Sequence, residues 1–458
     1  MKKHIAEEST LFISVLKWSA LASVVGVFVG ISTTIFLRSL RYCDNIAGGI
    51  DYRILLLPFA LFASNLIAGM IDKEAAGEGL DKVIDSIHTN HGKIKLRVAP
   101  AKFFASIVTI VGGGSVGKEA PPVQVGGALT SYLARLFRLD RTDRRKLVIC
   151  AISAGFASVF GAPIAGAIFA IESLFLGQLL YDVLFPSFVA AIVAYQVSLH
   201  LGVSYFTRDI TIIPAFTGGL FFKVILAGIV FGLVALLLIE VMKRAGRIFD
   251  GLNMPMPMKG ALAGIILLVC TLALGDDRYL GLGLDTIEGA AMGQHVPAFA
   301  FIVKILFTAV TLGSGASGGI ITPIFFIGAT SGNMLGGLFG FEPATFAAIG
   351  MVAVLAGAAN TPVAAGILAM ELFGVKVGPW AATAAVVSYL MAGNRSIHAS
   401  QVVASLKSAS VLVPLRQKIG DADVEVKVRD KGVIGIAQKA YKEGERAYGV
   451  KFGKKKKE

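Results

Sequence analysis

Apolar runs recur along almost the whole chain, and most are too short to cross a bilayer as straight helices. A straight span needs about 20 apolar residues. The longer runs lie at 11–37, 54–71, 164–180, 183–201, 221–242 and 320–338. Those at 98–111, 147–160, 261–274, 299–312, 346–359, 363–373 and 380–391 hold 11 to 14 residues between glycine or proline breaks. Short, interrupted segments at membrane depth are characteristic of broken helices whose ends point at a buried site. Ordinary helices with surface kinks are the alternative. Composition supports a membrane setting: hydrophobic residues make up 55% of the 458 and charged residues 16%, against about 25% charged in soluble domains. A disordered chain is excluded and a soluble enzyme disfavoured. The 53 glycines suit both close helix packing and backbone that lines a polar cavity, and the count does not separate the two.

An internal repeat sharpens this. Residues 109–137, TIVGGGSVGKEAPPVQVGGALTSYLARLF, resemble residues 311–339, TLGSGASGGIITPIFFIGATSGNMLGGLF, at a constant offset of 202. Thr109 meets Thr311, Gly113 meets Gly315, Ser115 meets Ser317, Gly117 meets Gly319, Pro121 meets Pro323 and Gly126 meets Gly328. Further on, APIAGAIFAIE ending at Glu172 matches TPVAAGILAME ending at Glu371. Two similar halves are a transporter architecture, and inversion of one relative to the other is expected. The predicted fold is an all-α polytopic membrane protein. Its expected division is a cytoplasmic N-terminus at 1–10, a first transmembrane half at 11–210, a second at 211–415 and a basic cytoplasmic tail at 416–458.

The net charge of +13 reads as loop charge that orients the chain, not as a nucleic-acid surface, because no basic patch sits on a soluble domain. Arg135, Arg138, Arg141, Arg144, Arg145 and Lys146 cluster between two apolar runs, Lys243, Arg244 and Arg247 follow another, and Lys454 to Lys457 close the sequence. Both termini are therefore expected in the cytoplasm of a protein of the cell membrane. Residues 1–10 are polar and the next run is too long for a signal-peptide core, so no cleavable signal is expected. Cys43, Cys150 and Cys270 show no CxxC spacing, and His88 and His91, in the polar stretch 72–95, have no third ligand, so no metal is predicted. Lys102 and Lys304 read as snorkelling or paired cations, and Glu172 and Glu371 as structural ends of short helices.

The chemistry concentrates at the glycine-rich segments. Residues 112–126 carry Lys118 but lack the GK[ST] ending of a phosphate loop, so no nucleotide or other cofactor is implied. Gly117 and Glu119 precede Ala120-Pro121-Pro122, and Gly319 precedes Ile320, Ile321, Thr322 and Pro323. Proline favours the first turn of a helix. Each place thus exposes unpaired N–H groups and the positive end of a helix dipole. Two such ends meeting at midplane form an anion site without a full positive charge. An ionisable Glu119 there can occupy the site itself and be released by protonation; a simple helix cap is the other reading.

These residues resemble the CLC chloride channel/transporter family. GKEAP, from Gly117 to Pro121, is similar to the family's GREGP motif, and GIITP, from Gly319 to Pro323, to its GxFxP motif. The resemblance runs from the first apolar run to about residue 405. It implies a homodimer with one pore per subunit, built from many tilted and broken helices in two inverted halves. It implies that Glu119 is the external gating glutamate, that Gly117 and Lys118 belong to the anion site, and that the N–H groups of Ile320 and Ile321 help to hold the central anion. The family's serine and tyrosine ligands are replaced: Glu78 stands at the serine position and His398 near the tyrosine. Ser173 follows Glu172 where proton-coupled members often carry an internal glutamate. Glu78 turns away from the site, or is a protonatable element of the pathway, or lies one residue out of register. His398 is a packed residue, an N–H donor to the anion or a titrating group. Glu78, Glu172, Ser173 and His398 are the candidate proton pathway. The leading expectation is chloride–proton antiport, with a passive voltage- or pH-gated chloride channel as the alternative and a fluoride exporter as the second alternative. A membrane-embedded enzyme is disfavoured, since HExxH is absent and no paired metal-ligand constellation appears in these segments.

Overall fold

The computed structural model describes residues 2–49, 53–207, 217–408, 411–412, 414–421 and 427–428. The expected boundary between halves at 210/211, most of the tail at 416–458 and Lys454 to Lys457 lie outside the described residues. Sixteen α-helices are present among them. The first eight are α1 (Lys2–Gly48), α2 (Leu57–Ile71), α3 (Gly79–Thr89), α4 (Val98–Val111), α5 (Ala120–Leu136), α6 (Arg141–Phe160), α7 (Pro163–Glu172) and α8 (Leu184–His200). The second eight are α9 (Gly218–Gly251), α10 (Met256–Leu274), α11 (Leu284–Ala291), α12 (Ala300–Gly313), α13 (Ile321–Phe339), α14 (Pro343–Ala359), α15 (Pro362–Phe373) and α16 (Gly378–Met391).

The two sets correspond helix for helix. α1 packs on α8 as α9 packs on α16, α5 on α6 as α13 on α14, and α2 on α4 as α10 on α12, while α2 meets α10 and α7 meets α15 across the halves. Among the described residues, five stretches are long and apolar enough to cross a membrane: Glu7–Gly48, Ile54–Ile71, Tyr181–His200, Gly218–Gly251 and Met256–Leu274. Helices α4, α7, α12, α14 and α15 are apolar but short. Large apolar side chains such as Phe12, Phe59, Met70, Leu272 and Leu338 stay exposed, as a lipid-facing surface requires and a water-facing one does not.

Proline in the first turn helps to start α5, α7, α14, α15 and α16, because its missing N–H is one that a helix start leaves unpaired anyway. Part of the glycine content is packing. Gly26 and Gly30 on α1 face α8, where an added Cβ would lie 2.7 Å from the Ala190 carbonyl oxygen and 2.8 Å from that of Ala194. Gly228 and Gly232 on α9 face α16 in the same way, with Cβ positions 3.1 Å from the Ala384 carbonyl oxygen and 2.9 Å from that of Ser388. Both are small-xxx-small seams that let backbones approach.

Two features differ from the sequence reading. The polar stretch 72–95 contains a helix, α3, which buries Leu80, Val83, Ile84 and Ile87 at helical spacing under a polar outer face. Lys102 and Lys304 do not snorkel: both are 0% exposed and bond to backbone carbonyls. Glu172 ends α7, Glu371 lies in the last turn of α15, and each also caps a helix of the other half. The Glu172 carboxylate accepts from the N–H groups of Val363 (3.1 Å) and Ala364 (2.8 Å) at the start of α15. The Glu371 carboxylate accepts from those of Ile164 (2.9 Å) and Ala165 (2.8 Å) at the start of α7. Replacing either by alanine removes a helix cap worth about 1–2 kcal/mol. The expected result is a lower unfolding temperature for each purified variant. Lost proton flux in Glu172→Ala with no change in unfolding temperature would instead make Glu172 a proton carrier.

Candidate functional site

The halves join through backbone bonds at the glycine-rich segments. The Gly117 N–H donates to the Gly319 carbonyl at 2.7 Å and the Gly319 N–H returns to the Gly117 carbonyl at 2.9 Å. Around this antiparallel bridge the contacts repeat in pairs. Gly77 N–H donates to Gly315 O and Gly281 N–H to Gly113 O, each at 3.0 Å. The hydroxyls of Ser106 and Ser317 meet at 2.9 Å, and those of Ser115 and Thr308 at 3.0 Å. Equivalent groups exchange equivalent bonds, so a local two-fold axis passes through the Gly117–Gly319 bridge. Glu78 forms a parallel bridge with Gly318 beside it, and the segments carrying Glu78, Glu119 and Ile321 converge.

Glu119 precedes α5 but makes no side-chain bond to that helix. Its carboxylate crosses to α13. Oε1 accepts from the Ile321 N–H at 2.5 Å, and Oε2 accepts from the Thr322 hydroxyl at 2.8 Å and the Thr322 N–H at 3.4 Å. The side chain is buried. A carboxylate therefore fills the anion-attracting N-terminus of α13. Gly117 and Gly319 make this possible: an added Cβ would lie 2.2 Å from Glu119 Oε2 at the first and 2.1 Å from Oε1 at the second. The donors to the carboxylate are Ile321 and Thr322; the Ile320 N–H is not among them.

Beneath these segments, Lys102 donates from Nζ to the carbonyls of Gly77 (2.6 Å), Ala75 (3.3 Å) and Gly318 (3.4 Å). Lys304 bonds the carbonyls of Tyr279 (3.0 Å) and Gly281 (2.9 Å) in the other half. Each ammonium gathers carbonyls at bends in the chain; those of Ala75 and Gly77 also accept from the Ser317 hydroxyl and the Gly318 N–H. The two sites are equivalent in the repeat, but only Lys102 reaches Gly318 on the segment leading into α13.

Glu78 caps its own helix. Its carboxylate accepts from the N–H groups of Leu80 (3.0 Å) and Asp81 (2.5 Å) at the start of α3. Oε2 lies 3.8 Å from Nδ1 of His398, which is fully buried. Asp81 turns to the chain beyond His398 and accepts from the Ser400 N–H (2.8 Å) and hydroxyl (3.1 Å). Lys118 lines a cavity of about 510 Å³ with Arg38, Arg41 and Arg278, and with Asp44 and Asp285. Glu172 engages α15 and not the Glu119 cluster. Ser173 beside it is buried, and its carbonyl accepts from the Gln401 amide at 3.1 Å.

The family model for voltage-gated chloride channels matches residues 59–393. The chain belongs to the CLC family. It is 40% identical over 427 residues to the chloride/fluoride channel protein of Pseudomonas syringae pv. tomato, covering 92% of this chain and 93% of that one. It is 28% identical over 390 residues to the H(+)/Cl(−) exchange transporter ClcA of Yersinia pestis, covering 77% of this chain and 79% of the relative. Among solved structures it resembles a CLC-type fluoride/proton antiporter with a TM-score of 0.81 at 27% identity, covering 86% of this chain and 99% of that one. A slow cyanobacterial Cl−/H+ antiporter shares the fold, with a TM-score of 0.71 at 21% identity over 82% of this chain and 94% of its own. This CLC protein is thus a multi-pass membrane protein of anion transport, and not an enzyme.

Of the residues singled out from the sequence, Gly117, Glu119, Ile320 and Ile321 come together at the bridge, with Glu78 and His398 paired beside them. Lys118 faces the adjacent cavity, and Glu172 and Ser173 stand apart at the α7–α15 contact. The sequence reading missed Thr322, whose hydroxyl and N–H both meet Glu119, and the carbonyl-gathering role of Lys102. Lys102 and Lys304 sit at the same 202-residue offset as the repeat, a signal that could have paired them.

Proposed function

We propose that this CLC protein exchanges fluoride for protons across the cell membrane, with Glu119 as the protonatable gate. The observation that carries this reading is the Glu119 carboxylate on the Ile321 and Thr322 donors. An anion that takes those donors must displace the carboxylate. Protonation weakens the carboxylate as an acceptor and frees it to leave, so anion and proton compete for one place. Two of the three donor distances, 2.5 and 2.8 Å, suit a small, hard acceptor, and the third is 3.4 Å. Fluoride is close to a carboxylate oxygen in size, whereas chloride is larger and takes its donors at longer range. The names of two relatives, a chloride/fluoride channel protein and a fluoride/proton antiporter, support the same anion. The exchange transporter of Yersinia pestis keeps chloride as a second reading.

The basic clusters at 135–146 and 243–247 suit cytoplasmic loops and termini. The active form is taken as a homodimer with one pathway in each subunit, comprising both halves, 11–210 and 211–415, with 1–10 and the tail at 416–458 in the cytoplasm.

Initial efflux from vesicles loaded with equal concentrations of fluoride or chloride tests selectivity. Fluoride is expected to leave at least about ten-fold faster, the equivalent of roughly 1.4 kcal/mol between the two ions. Equal rates, or faster chloride, would replace fluoride by chloride as the transported ion.

A further inference from the structure

The His398 ring is the most conspicuous polar group left over. It is 0% exposed, yet neither Nδ1 nor Nε2 has a hydrogen-bond partner among the described residues. Leaving such a group unpaired costs about 1–3 kcal/mol. Its backbone, by contrast, is firmly held. The His398 N–H donates to the Ser396 hydroxyl at 3.1 Å, Ile397 N–H to Ala358 O at 2.8 Å, and Ser400 N–H to Asp81 Oδ1 at 2.8 Å. A ring this well positioned and this poorly bonded points to a partner that comes and goes. The atom facing Nδ1 is Oε2 of Glu78, 3.8 Å away. With no proton between them, two acceptors confront each other; with one, the carboxylate and imidazole attract.

Resting on the exchange reading above, we propose that Glu78 and His398 act together as the proton-holding pair that takes the proton from Glu119. The charged groups facing the pair are Asp81 from α3, Lys102 from α4 and Glu119 at the start of α5. Burial acts most strongly, favouring protonated Glu78 and neutral His398; Asp81 also favours protonated Glu78, Lys102 favours its anionic form, and the carboxylates of Asp81 and Glu119 oppose burial at His398. The Asp81 carboxylate is bonded to Ser400, and the Lys102 ammonium to three carbonyls. In the transfer, Glu119 changes from carboxylic acid to carboxylate and returns to the α13 donors. The Glu78–His398 pair gains one proton, which leaves later to water. No electrons move, and one proton passes from acid to base.

Wild-type protein, Glu78→Gln and His398→Gln, each purified as the full chain, are reconstituted in vesicles. Fluoride efflux and proton uptake are recorded together, and the ratio of the two is the readout. A positioned proton acceptor contributes at least about a hundred-fold to transfer, so the proton-to-fluoride ratio is expected to fall by about that factor in each variant. The double variant is expected to be no worse than either single one, because the pair works as a unit. An unchanged ratio in either folded variant overturns the proposal, as does a change confined to fluoride affinity. If Glu78→Gln is not recovered folded, His398→Gln alone decides by the same criterion. Absence of proton movement in the wild type would instead overturn the exchange reading itself, so the two failures are distinct.

Discussion

Glu119→Gln is expected to give anion flux that no longer varies with pH and no longer moves protons. In the wild type, anion access requires the carboxylate to leave the Ile321 and Thr322 donors. Falling pH protonates it, a neutral acid is a weaker acceptor, and flux rises. The glutamine side chain has nearly the same shape but no charge at any pH, so it competes poorly for these donors throughout. Hydrogen bonds to a charged group are worth about 1.5–3 kcal/mol each. Losing the charge on one such bond is enough to change occupancy of the site by roughly ten-fold or more. Initial flux rates of wild type and variant, measured in matched vesicles at acidic and neutral pH, check this. A variant that keeps the wild-type pH dependence would remove Glu119 from the gate.

Lys102→Met should weaken anion binding far more than Lys304→Met. Both substitutions remove a carbonyl donor: Lys304→Met from Tyr279 and Gly281, and Lys102→Met from Gly318, while Ala75 and Gly77 keep the Ser317 hydroxyl and the Gly318 N–H. Both are therefore expected to lower stability, by about 1–3 kcal/mol for each group left unpaired. Only Lys102, however, holds Gly318 on the segment entering α13 and lies in the half that carries Glu78. At an effective dielectric near 20, a unit charge several ångströms from an anion contributes on the order of 2 kcal/mol, or around thirty-fold in affinity. Calorimetric titration of fluoride into the two variants, beside their unfolding temperatures, separates the effects. Equal losses of affinity would mean that Lys102 acts only as a backbone clamp.

Much of this fold was readable before any coordinates, because membrane helices and repeats leave linear traces. The 202-residue offset anticipated the equivalence of the segments carrying Gly117 and Gly319, though not their direct bridge, and the prolines at 121 and 323 anticipated the starts of α5 and α13. The short apolar runs anticipated α4, α12, α14 and α15, whereas the longer run at 164–180 overlaps the ten-residue α7, which ends at Glu172. Helix α3 escaped notice because its charges dominate the stretch 72–95, although Leu80, Val83, Ile84 and Ile87 already carry the helical period. The contacts that assemble the site were harder to read. Thr322 meets Glu119 across 203 residues, and Glu172 caps Val363 across 191. Neither pairing follows from local propensity, since both exist only once the two halves dock. The substitutions at Glu78 and His398 were visible as departures from a family pattern. Their proximity to each other required the structure, because 320 residues of chain separate them.

Exchange is tested most directly by loading vesicles with fluoride, reconstituting the wild-type protein, and clamping the membrane voltage at zero while recording internal pH. With equal pH on both sides, fluoride leaving down its gradient is expected to drive protons inward and acidify the interior. That is uphill movement, which only coupling through a shared site can produce. Fluoride efflux with no change of internal pH would contradict exchange and make this CLC protein a passive anion pathway.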